Sequence, residues 1–149
     1  MIALGCDHGG YELKLAIIEH LKQRNTPFID FGTHSPESCD YPDYAQKACG
    51  AVVDGRCEQA ILICGTGIGI SIAANKIKGI RAAACSEHFS AKHTRLHNDA
   101  NALCLGGRVI GPGTACELVD LFLDTAFEGG RHQARVDKIT KLEHIEKGE

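Results

Sequence analysis

The 149-residue sequence lacks any apolar run that approaches the ~20 residues of a membrane-spanning helix. It also lacks a run of lysine or arginine, and its net charge of −3 excludes a strongly basic surface for nucleic acid. Residues 1–5 lead directly into an apolar segment, without the pattern of an export signal. No repeat, low-complexity stretch or linker divides the chain. We therefore expect one domain over residues 1–149, with neither a membrane nor a nucleic acid as partner.

The sequence also lacks the CxxC spacing of redox and zinc motifs, although it contains eight cysteines. Several of them lie inside apolar segments such as AAAC and ALCLGG, where a free cysteine packs as a small hydrophobic residue. Because no export signal is expected, disulfides are not expected either. We predict free thiols, most of them buried, and a cytoplasmic location.

Short apolar runs alternate with helical patterns along the whole chain. The predicted strands are residues 2–6, 28–31, 60–64, 80–84 and 102–106. Between them, apolar residues recur at helical spacing within 13–21, 45–53 and 115–126. This alternation predicts an α/β fold, with a parallel sheet of about five strands and helices on both faces. A last, highly charged helix is predicted from about 131 to 147, either packed on a partner subunit or solvated.

Ligands bind a sheet of this kind beyond the carboxyl ends of its strands. Polar residues and glycines gather at those points. They are Asp7 and His8 after the first strand, GTGIG after the third, Ser86 and Glu87 after the fourth, and Gly106, Gly107 and Arg108 after the fifth. We expect these segments to line one crevice.

The third predicted strand ends in CGTGIG, with glycines at 65, 67 and 69. Three glycines in five residues indicate close approach of the backbone to another group, and backbone N–H groups that open a helix bind anions. A dinucleotide site is disfavoured, because the spacing is GxGxG rather than GxGxxG and the loop does not follow the first strand. A tight turn without a ligand is the other alternative. We predict an anion or oxyanion cradle.

Cys64 lies immediately before this loop, where a strand leads into a helix. A cysteine near a helix N-terminus has an increased thiolate fraction, and the thiolate is the reactive form. A cysteine that ends a buried strand is more often a packing residue. The adjacent glycine loop favours a chemical role for Cys64.

His88, His93 and His97 lie on one predicted helix. His93 and His97 have the spacing of metal ligands, but the glutamate of HExxH is missing and no third ligand is evident. We therefore disfavour zinc and expect His88 and His93 at the surface. His97 is followed by Asn98 and Asp99 at the helix end, so its ring is expected to reach the crevice and to transfer protons there.

Arg131 and Arg135 lie four residues apart on one face of the last predicted helix, directly after two glycines. A solvated basic face is the ordinary interpretation of such a pair. Two guanidinium groups can also bind a phosphate through paired hydrogen bonds. Together with the predicted anion loop, they suggest a small phosphorylated metabolite as the ligand.

Taken together, the motifs resemble the type B ribose-5-phosphate isomerases and the related allose- and galactose-6-phosphate isomerases. The resemblance covers essentially the whole chain, through GCDHGG, DYP at 40–42, CGTGIGISIAANK, LHNDAN, GGRVIG and GGRHQARV. It implies a Rossmann-like subunit, a homodimer or dimer of dimers with sites at the dimer interface, and neither cofactor nor metal. It also implies interconversion of ribose 5-phosphate and ribulose 5-phosphate in the non-oxidative pentose phosphate pathway.

The resemblance assigns proton abstraction to Cys64 and opening of the sugar ring to His97. The substrate contacts that it implies are Asp7, His8, Tyr41, Gly65, Thr66, Gly67, Ile68, Gly69, Asn98, Arg108, Arg131 and Arg135. One branch of the family lacks the cysteine and has a glutamate at the position of Ile70. This chain therefore resembles the thiol branch.

Aldose–ketose isomerisation moves a proton between neighbouring carbons, which requires a base and donors for the enediolate oxygens. The Cys64 thiolate and the N–H groups of 65–69 are the candidates for these tasks. The expected phosphate ligands are His8, Arg108, Arg131 and Arg135. Two alternatives stay open: a six-carbon sugar phosphate as substrate of the same mechanism, and a flavodoxin-like module that binds a phosphate ligand without turnover.

Overall fold

The computed structural model describes residues 1–145 and alternates strands with helices, as predicted. The strands are β1 (Ile2–Cys6), β2 (Phe28–Asp30), β3 (Gln59–Cys64), β4 (Ala82–Ala84) and β5 (Ala102–Gly106). The helices are α1 (Tyr11–Gln23), α2 (Tyr41–Val53), α3 (Ile68–Ala74), α4 (His88–Asn98), α5 (Pro112–Asp124) and α6 (Arg131–Leu142), and a short 3₁₀ turn covers His8–Gly10. None of these helices is long and apolar enough to cross a bilayer.

The five strands form one parallel sheet in the order β2-β1-β3-β5-β4. From β1 the chain moves outward to β2, and it then returns to the other side of β1 to form β3. The direction of winding therefore reverses between β1 and β3, and ligands bind open α/β sheets at such a point. The register pairs Cys6 with Ile63 and Cys64 with Gly106, so β1, β3 and β5 end close together.

Alternate residues of the central strands pack on opposite faces of the sheet. Ile61 and Ile63 join an apolar layer with α1 and α5, whereas Leu62 and Cys64 join a second layer with α2 and α3. Phe122 of α5 is fully buried in the first layer, and burial of such a side chain contributes roughly 1.5–3 kcal/mol. The prediction of helices on both faces is confirmed.

Local sequence explains where α2, α4 and α5 begin. Pro42 lies in the first turn of α2 and Pro112 in that of α5, where proline lacks only an N–H that has no intrahelical partner. In α4, the Glu87 carboxylate accepts a hydrogen bond from the Ser90 N–H at 2.9 Å, which caps the helix. These local features account for the first residues of the three helices.

The two edge strands are shorter than predicted. β2 ends at Asp30, and β4 begins at Ala82. Within residues 1–145, each of them pairs with a single neighbouring strand. Before β4, the N–H of Arg81 donates to the side-chain oxygen of Asn101 at 2.8 Å instead of to a backbone carbonyl, whereas the Arg81 carbonyl accepts from the Asn101 N–H at 3.0 Å.

Helix α6 packs against α4 of the same chain and buries His132 and Val136. Its other residues are exposed. The helix ends at Leu142, earlier than the predicted 147, and residues 146–149 lie outside the described residues. Just beyond its end, the Glu143 carboxylate accepts a hydrogen bond from the Gly79 N–H at 2.7 Å, so the helix contacts the chain at both of its ends.

The eight cysteines are all free thiols, and six of them are buried, as predicted. Desolvation is the main reason that the pKa of Cys6 rises to about 11 and that of Cys49 to about 12. Both thiols therefore stay protonated at neutral pH, which suits a role in packing.

Candidate active site

A pocket of about 640 Å³ lies beyond the carboxyl ends of β1 and β3. The segments that follow β1, β3 and β5 form its floor, and the start of α2 forms one wall. Its lining residues are Asp7, His8, Ser38, Cys39, Asp40, Tyr41, Pro42, Asp43, Cys64, Gly65, Thr66, Gly69 and Arg108. Most of the site residues predicted before position 109 therefore come together here.

Asp7 fixes the turn that follows β1. Its buried carboxylate accepts hydrogen bonds from the N–H groups of Gly9 at 2.9 Å and Gly10 at 3.2 Å. The next residue, His8, has its Nδ1 at 3.2 Å from both the backbone nitrogen and the carbonyl oxygen of Cys39. Because backbone holds Nδ1, Nε2 is the ring nitrogen that can contact a ligand.

Cys64 is the last residue of β3 and is 4% exposed. Its Sγ accepts a hydrogen bond from the Gly67 N–H at 3.1 Å, and a donor directed at sulfur stabilises negative charge there. Its carbonyl accepts from the Gly107 N–H at 2.8 Å, which ties Cys64 to the end of β5. The thiol is therefore held in one place at the pocket floor.

Two glycines of the loop are required by its geometry. Gly67 has φ +78°, and a Cβ there would lie 2.8 Å from the carbonyl carbon of Leu105. At Gly69, a Cβ would lie 2.8 Å from Cζ of Tyr41, so the glycine makes room for that ring. The loop is shaped by contact with β5 and α2 as well as by any ligand.

Fewer than the five predicted N–H groups of the loop are available to a ligand, because two of them donate within the loop. The N–H of Gly67 donates to Cys64, and the N–H of Ile68 donates to Oγ1 of Thr66 at 3.2 Å. Of the five loop residues, Gly65, Thr66 and Gly69 line the pocket. These three are the candidates for contacts to a ligand.

Arg108 lies across this loop. Its N–H donates to the Gly65 carbonyl at 3.0 Å, and its Nη1 would lie 3.4 Å from a Cβ at Gly65. The side chain is otherwise exposed. It therefore provides a guanidinium group at the pocket rim, where an anion can bind.

His97 does not reach this pocket within one chain, contrary to expectation. Together with Asn98 it lines a second depression, of about 340 Å³, between β4 and α4. The reason is the direction of α4, which carries the chain from the carboxyl end of β4 back to the amino end of β5. A residue at the end of such a helix lies away from the carboxyl ends of the strands, where Cys64 is.

The surroundings of His97 come from α4 and from the start of α6. Its ring stacks on that of His132, with centroids 4.3 Å apart, and meets the edge of His93 at 5.1 Å. The Nε2 atoms of His97 and His132 each lie 3.8 Å from Oε2 of Glu128. Burial lowers the pKa of His132, and the nearby His97 and Arg131 lower it further, so His132 is neutral at neutral pH.

Arg131 and Arg135 are exposed in the first turns of α6, beside the buried His132. The structure therefore divides the predicted site into two sets. The pocket of about 640 Å³ that contains Cys64 is called the Cys64 pocket. The second set is called the His97 group and consists of His97, Asn98, Arg131 and Arg135.

The other two histidines of α4 have local partners. Nε2 of His88 lies 2.6 Å from a carboxylate oxygen of Glu117, and Nδ1 of His93 lies 2.8 Å from the Phe89 carbonyl. His88 is exposed, as expected, whereas His93 is half-buried. The predicted i, i+4 metal pair does not acquire a third ligand on its own helix.

Sequence reasoning missed two parts of these sites. Residues 38–43 line the Cys64 pocket, although only Tyr41 among them was expected there. Glu128 and His132 surround His97, although neither was singled out. The available signals were the DYP motif and the i, i+4 spacing of Glu128 and His132 within EGGRH.

An α/β domain that presents a thiol, a histidine and an arginine at its topological switch point has the form of an enzyme for small anionic substrates. The chain matches the ribose/galactose isomerase family over residues 2–139, and it belongs to that family. It is 54% identical over 142 residues to ribose-5-phosphate isomerase B of Escherichia coli K12, which covers 95% of each chain.

Solved structures agree with this membership. Ribose-5-phosphate isomerase B of Clostridium thermocellum superposes with a TM-score of 0.95 at 54% identity, covering 96% of this chain and 97% of that one. The Mycoplasma genitalium enzyme, solved with bound ribulose 5-phosphate, gives a TM-score of 0.92 at 41% identity, covering 96% and 95%. The predicted family and fold are confirmed.

Proposed function

We propose that this chain is an aldose–ketose isomerase that interconverts ribose 5-phosphate and ribulose 5-phosphate. The names of its relatives and the ribulose 5-phosphate bound to the Mycoplasma genitalium enzyme support this substrate. The observation in this chain that supports it best is Cys64, whose sulfur accepts the Gly67 N–H in a pocket that also contains His8 and Arg108. A base and groups suited to phosphate thus share one cavity.

In the proposed reaction, the Cys64 thiolate removes the proton from C2 of the open-chain aldose. The C–H electron pair forms the enediolate, a proton passes from O2 to O1, and the thiol returns its proton to C1. General-base catalysis of this kind typically contributes about 10²–10⁴-fold. The N–H groups of Gly65 and Thr66 are assigned to the enediolate oxygens, where charge develops. Ile70 belongs to α3 and is fully buried against the sheet and α2, so it is given no part in the reaction.

The phosphate is assigned to His8 and Arg108 from the Cys64 pocket and to Arg131 and Arg135 from the His97 group. Binding at the distal phosphate holds the sugar in position against the base, which converts binding energy into rate. His97 is assigned the exchange of protons between the ring oxygen and the anomeric hydroxyl, which opens the furanose. Asp7, Tyr41 and Asn98 complete the proposed contacts to the sugar.

The proposed active form is a homodimer or a dimer of dimers in which the His97 group of one chain completes the Cys64 pocket of its partner. The separation of the two sets within one chain supports this arrangement. Ile68 and Ile72 are 57% and 58% exposed on α3, next to the pocket, and apolar surface of this kind marks an interface. We assign a second copy of the chain to this apolar surface, because it would also bring its His97 group to the Cys64 pocket.

This reaction belongs to the non-oxidative pentose phosphate pathway, and free thiols suit a reducing cytoplasm. A coupled assay tests the proposal directly: purified protein receives ribose 5-phosphate in the presence of EDTA, and formation of ribulose 5-phosphate is followed. We expect turnover that survives chelation. Binding of ribose 5-phosphate without any product would instead make the chain a binding module.

A six-carbon sugar phosphate is a second candidate, because the family to which the chain belongs includes galactose isomerases by its description. The mechanism would be the same, and only the distance between base and phosphate would differ. Values of kcat/KM for ribose 5-phosphate, allose 6-phosphate and galactose 6-phosphate decide between them. We expect the five-carbon substrate to have the highest value.

A further inference from the structure

Three side chains with metal-ligating atoms meet where the end of α4 approaches the start of α6. They are His97, Glu128 and His132, and their donor atoms all lie within 4.8 Å of one another. Each imidazole Nε2 is 3.8 Å from the same atom, Oε2 of Glu128. The proposed isomerisation uses only His97 of the three, so it does not explain why the other two converge on it.

His132 adds an independent observation. Its side chain is only 6% exposed. Among the described residues, its Nε2 is buried without a hydrogen-bond partner. Buried polar atoms in native proteins are nearly always paired, and an orphaned one commonly marks the place of a water or an ion. This nitrogen is directed into the same space as the Glu128 carboxylate.

Two imidazole nitrogens and one carboxylate oxygen are a known ligand set for zinc, with metal–ligand distances of about 2.0–2.2 Å. Tetrahedral geometry then places ligand atoms roughly 3.3 Å apart, so the two 3.8 Å separations need to shorten by about half an ångström. We propose that His97, Glu128 and His132 bind a divalent transition-metal ion, of the Zn²⁺ or Co²⁺ type, with a water at the fourth position.

Binding requires one ring to turn. The rings of His97 and His132 are nearly parallel, with an interplanar angle of 14°, so their in-plane nitrogen lone pairs do not yet converge on one point. His132 is buried, whereas the His97 side chain is 39% exposed and is therefore the ring that can turn. The metal thus withdraws His97 from its stacked position and occupies its Nε2. Inhibition of turnover follows, and this consequence alone rests on the proposed function.

Cobalt distinguishes this site from the eight cysteines, since thiolate ligands give an intense sulfur-to-cobalt charge-transfer band in the near ultraviolet. We expect the oligomer to bind one Co²⁺ per chain, with visible bands of nitrogen and oxygen ligation and without that sulfur band. Substituting a residue that only hydrogen-bonds to a metal ligand typically lowers metal affinity about 10–100-fold, and removing a ligand itself should lower the affinity at least as much. Glu128→Gln and His132→Gln should each show such a loss.

Glu128 is 56% exposed, so Glu128→Gln tests the site without disturbing the core. His93→Gln is the matched control, because His93 touches His97 on α4 but lies outside the three-ligand group. Full-strength binding by His93→Gln together with a loss in Glu128→Gln supports the site. A thiolate band in the wild type, or loss of binding in His93→Gln alone, overturns it.

Turnover gives the second readout. Zn²⁺ should inhibit isomerisation by the wild-type protein. The Zn²⁺ concentration that halves the rate should be at least about 10-fold higher for Glu128→Gln. Co²⁺ bound at the three ligands with undiminished turnover would refute the inhibitory consequence. If the chain does not isomerise ribose 5-phosphate at all, the proposed function fails, whereas the cobalt spectra still decide the metal site.

Discussion

The Cys64 pocket and the His97 group are positioned by different means. In the pocket, hydrogen bonds to the backbone fix the reactive side chains. The carboxylate of Asp7 caps a turn, and Cys64 accepts backbone N–H hydrogen bonds through both its sulfur and its carbonyl. In the His97 group, the residues lie on the surfaces of α4 and α6, and the two arginines are exposed. The first region is preorganised by the sheet, and the second consists of side chains on two packed helices.

This difference has a functional meaning under the proposed reaction. A group that removes a proton from carbon must be held within a few tenths of an ångström of its target, which hydrogen-bonded backbone can achieve. Groups that bind phosphate or move a proton between oxygens tolerate more freedom, and they can come from a second chain. Substitutions in each region test whether the two are separate and whether each has its assigned task.

The largest effect is expected for Cys64→Ser. The hydroxyl nearly preserves size and shape but is too weak an acid to supply an oxyanion without its own base. We expect kcat to fall by about 10²–10⁴-fold with little change in KM. Steady-state kinetics measure this. Cys39→Ser is the control, since Cys39 lines the same pocket without a role in the mechanism. Near wild-type kcat in Cys64→Ser would leave Cys64 as a packing residue.

A smaller effect is expected in the His97 group, from Arg131→Ala and Arg135→Ala. Each removes a charge-assisted contact to phosphate, which costs roughly 1.5–3 kcal/mol, or about one to two decades in kcat/KM. Most of the loss should appear in KM. Lys138→Ala removes an exposed cation from the same helix and should change little. If kcat/KM is unchanged in both arginine variants, the pair is a solvated face.

Mixing variants tests whether the two regions belong to different chains. Cys64→Ser and His97→Gln, each nearly inactive, are co-expressed with different tags. If a site combines Cys64 of one chain with His97 of its partner, half of a random dimer population has one intact site, so about a quarter of wild-type activity should return.

The control for this experiment pairs Cys64→Ser with the Cys64→Ser/His97→Gln double variant, a mixture that contains no intact combination. Absence of recovery in the test mixture would place both residues of each site in one chain. Sedimentation adds an independent measurement. A fully active monomer at working concentration would contradict the proposed oligomer.

The smallest effect on activity concerns the buried thiols. Desolvation is the main cause that raises the pKa of Cys6 and Cys85 to about 11 and that of Cys49 to about 12. Only the thiolate is alkylated, so these three should stay unlabelled at pH 8 and become reactive only as the pH approaches those values.

If Cys64 is the base, iodoacetamide inactivation at pH 8 should follow labelling of Cys64 rather than of any other cysteine, and ribose 5-phosphate should slow both. Peptide mass analysis identifies the labelled residue. Inactivation that follows labelling of Cys6, Cys49 or Cys85 instead would contradict the assignment of the reactive thiol.

Most of the fold could be predicted from the chain because apolar periodicity is a local signal. The central strands β1, β3 and β5 were found within one residue, since each is buried on both faces and reads as a continuous apolar run. The start of the edge strand β4 and the end of α6 were less accurate. Their bounds depend on single contacts, such as that of Arg81 with Asn101, which leave little trace in the sequence.

The Cys64 pocket could be anticipated for the same reason: residues that directly follow strands of a parallel sheet meet at one edge whatever the strand order. The place of His97 could not. It depends on the direction in which α4 returns and on the packing of α6 against it, which brings Glu128 and His132 to the same point. Residue types and local elements are properties of the chain, whereas the meeting of distant side chains depends on how helices pack around the sheet.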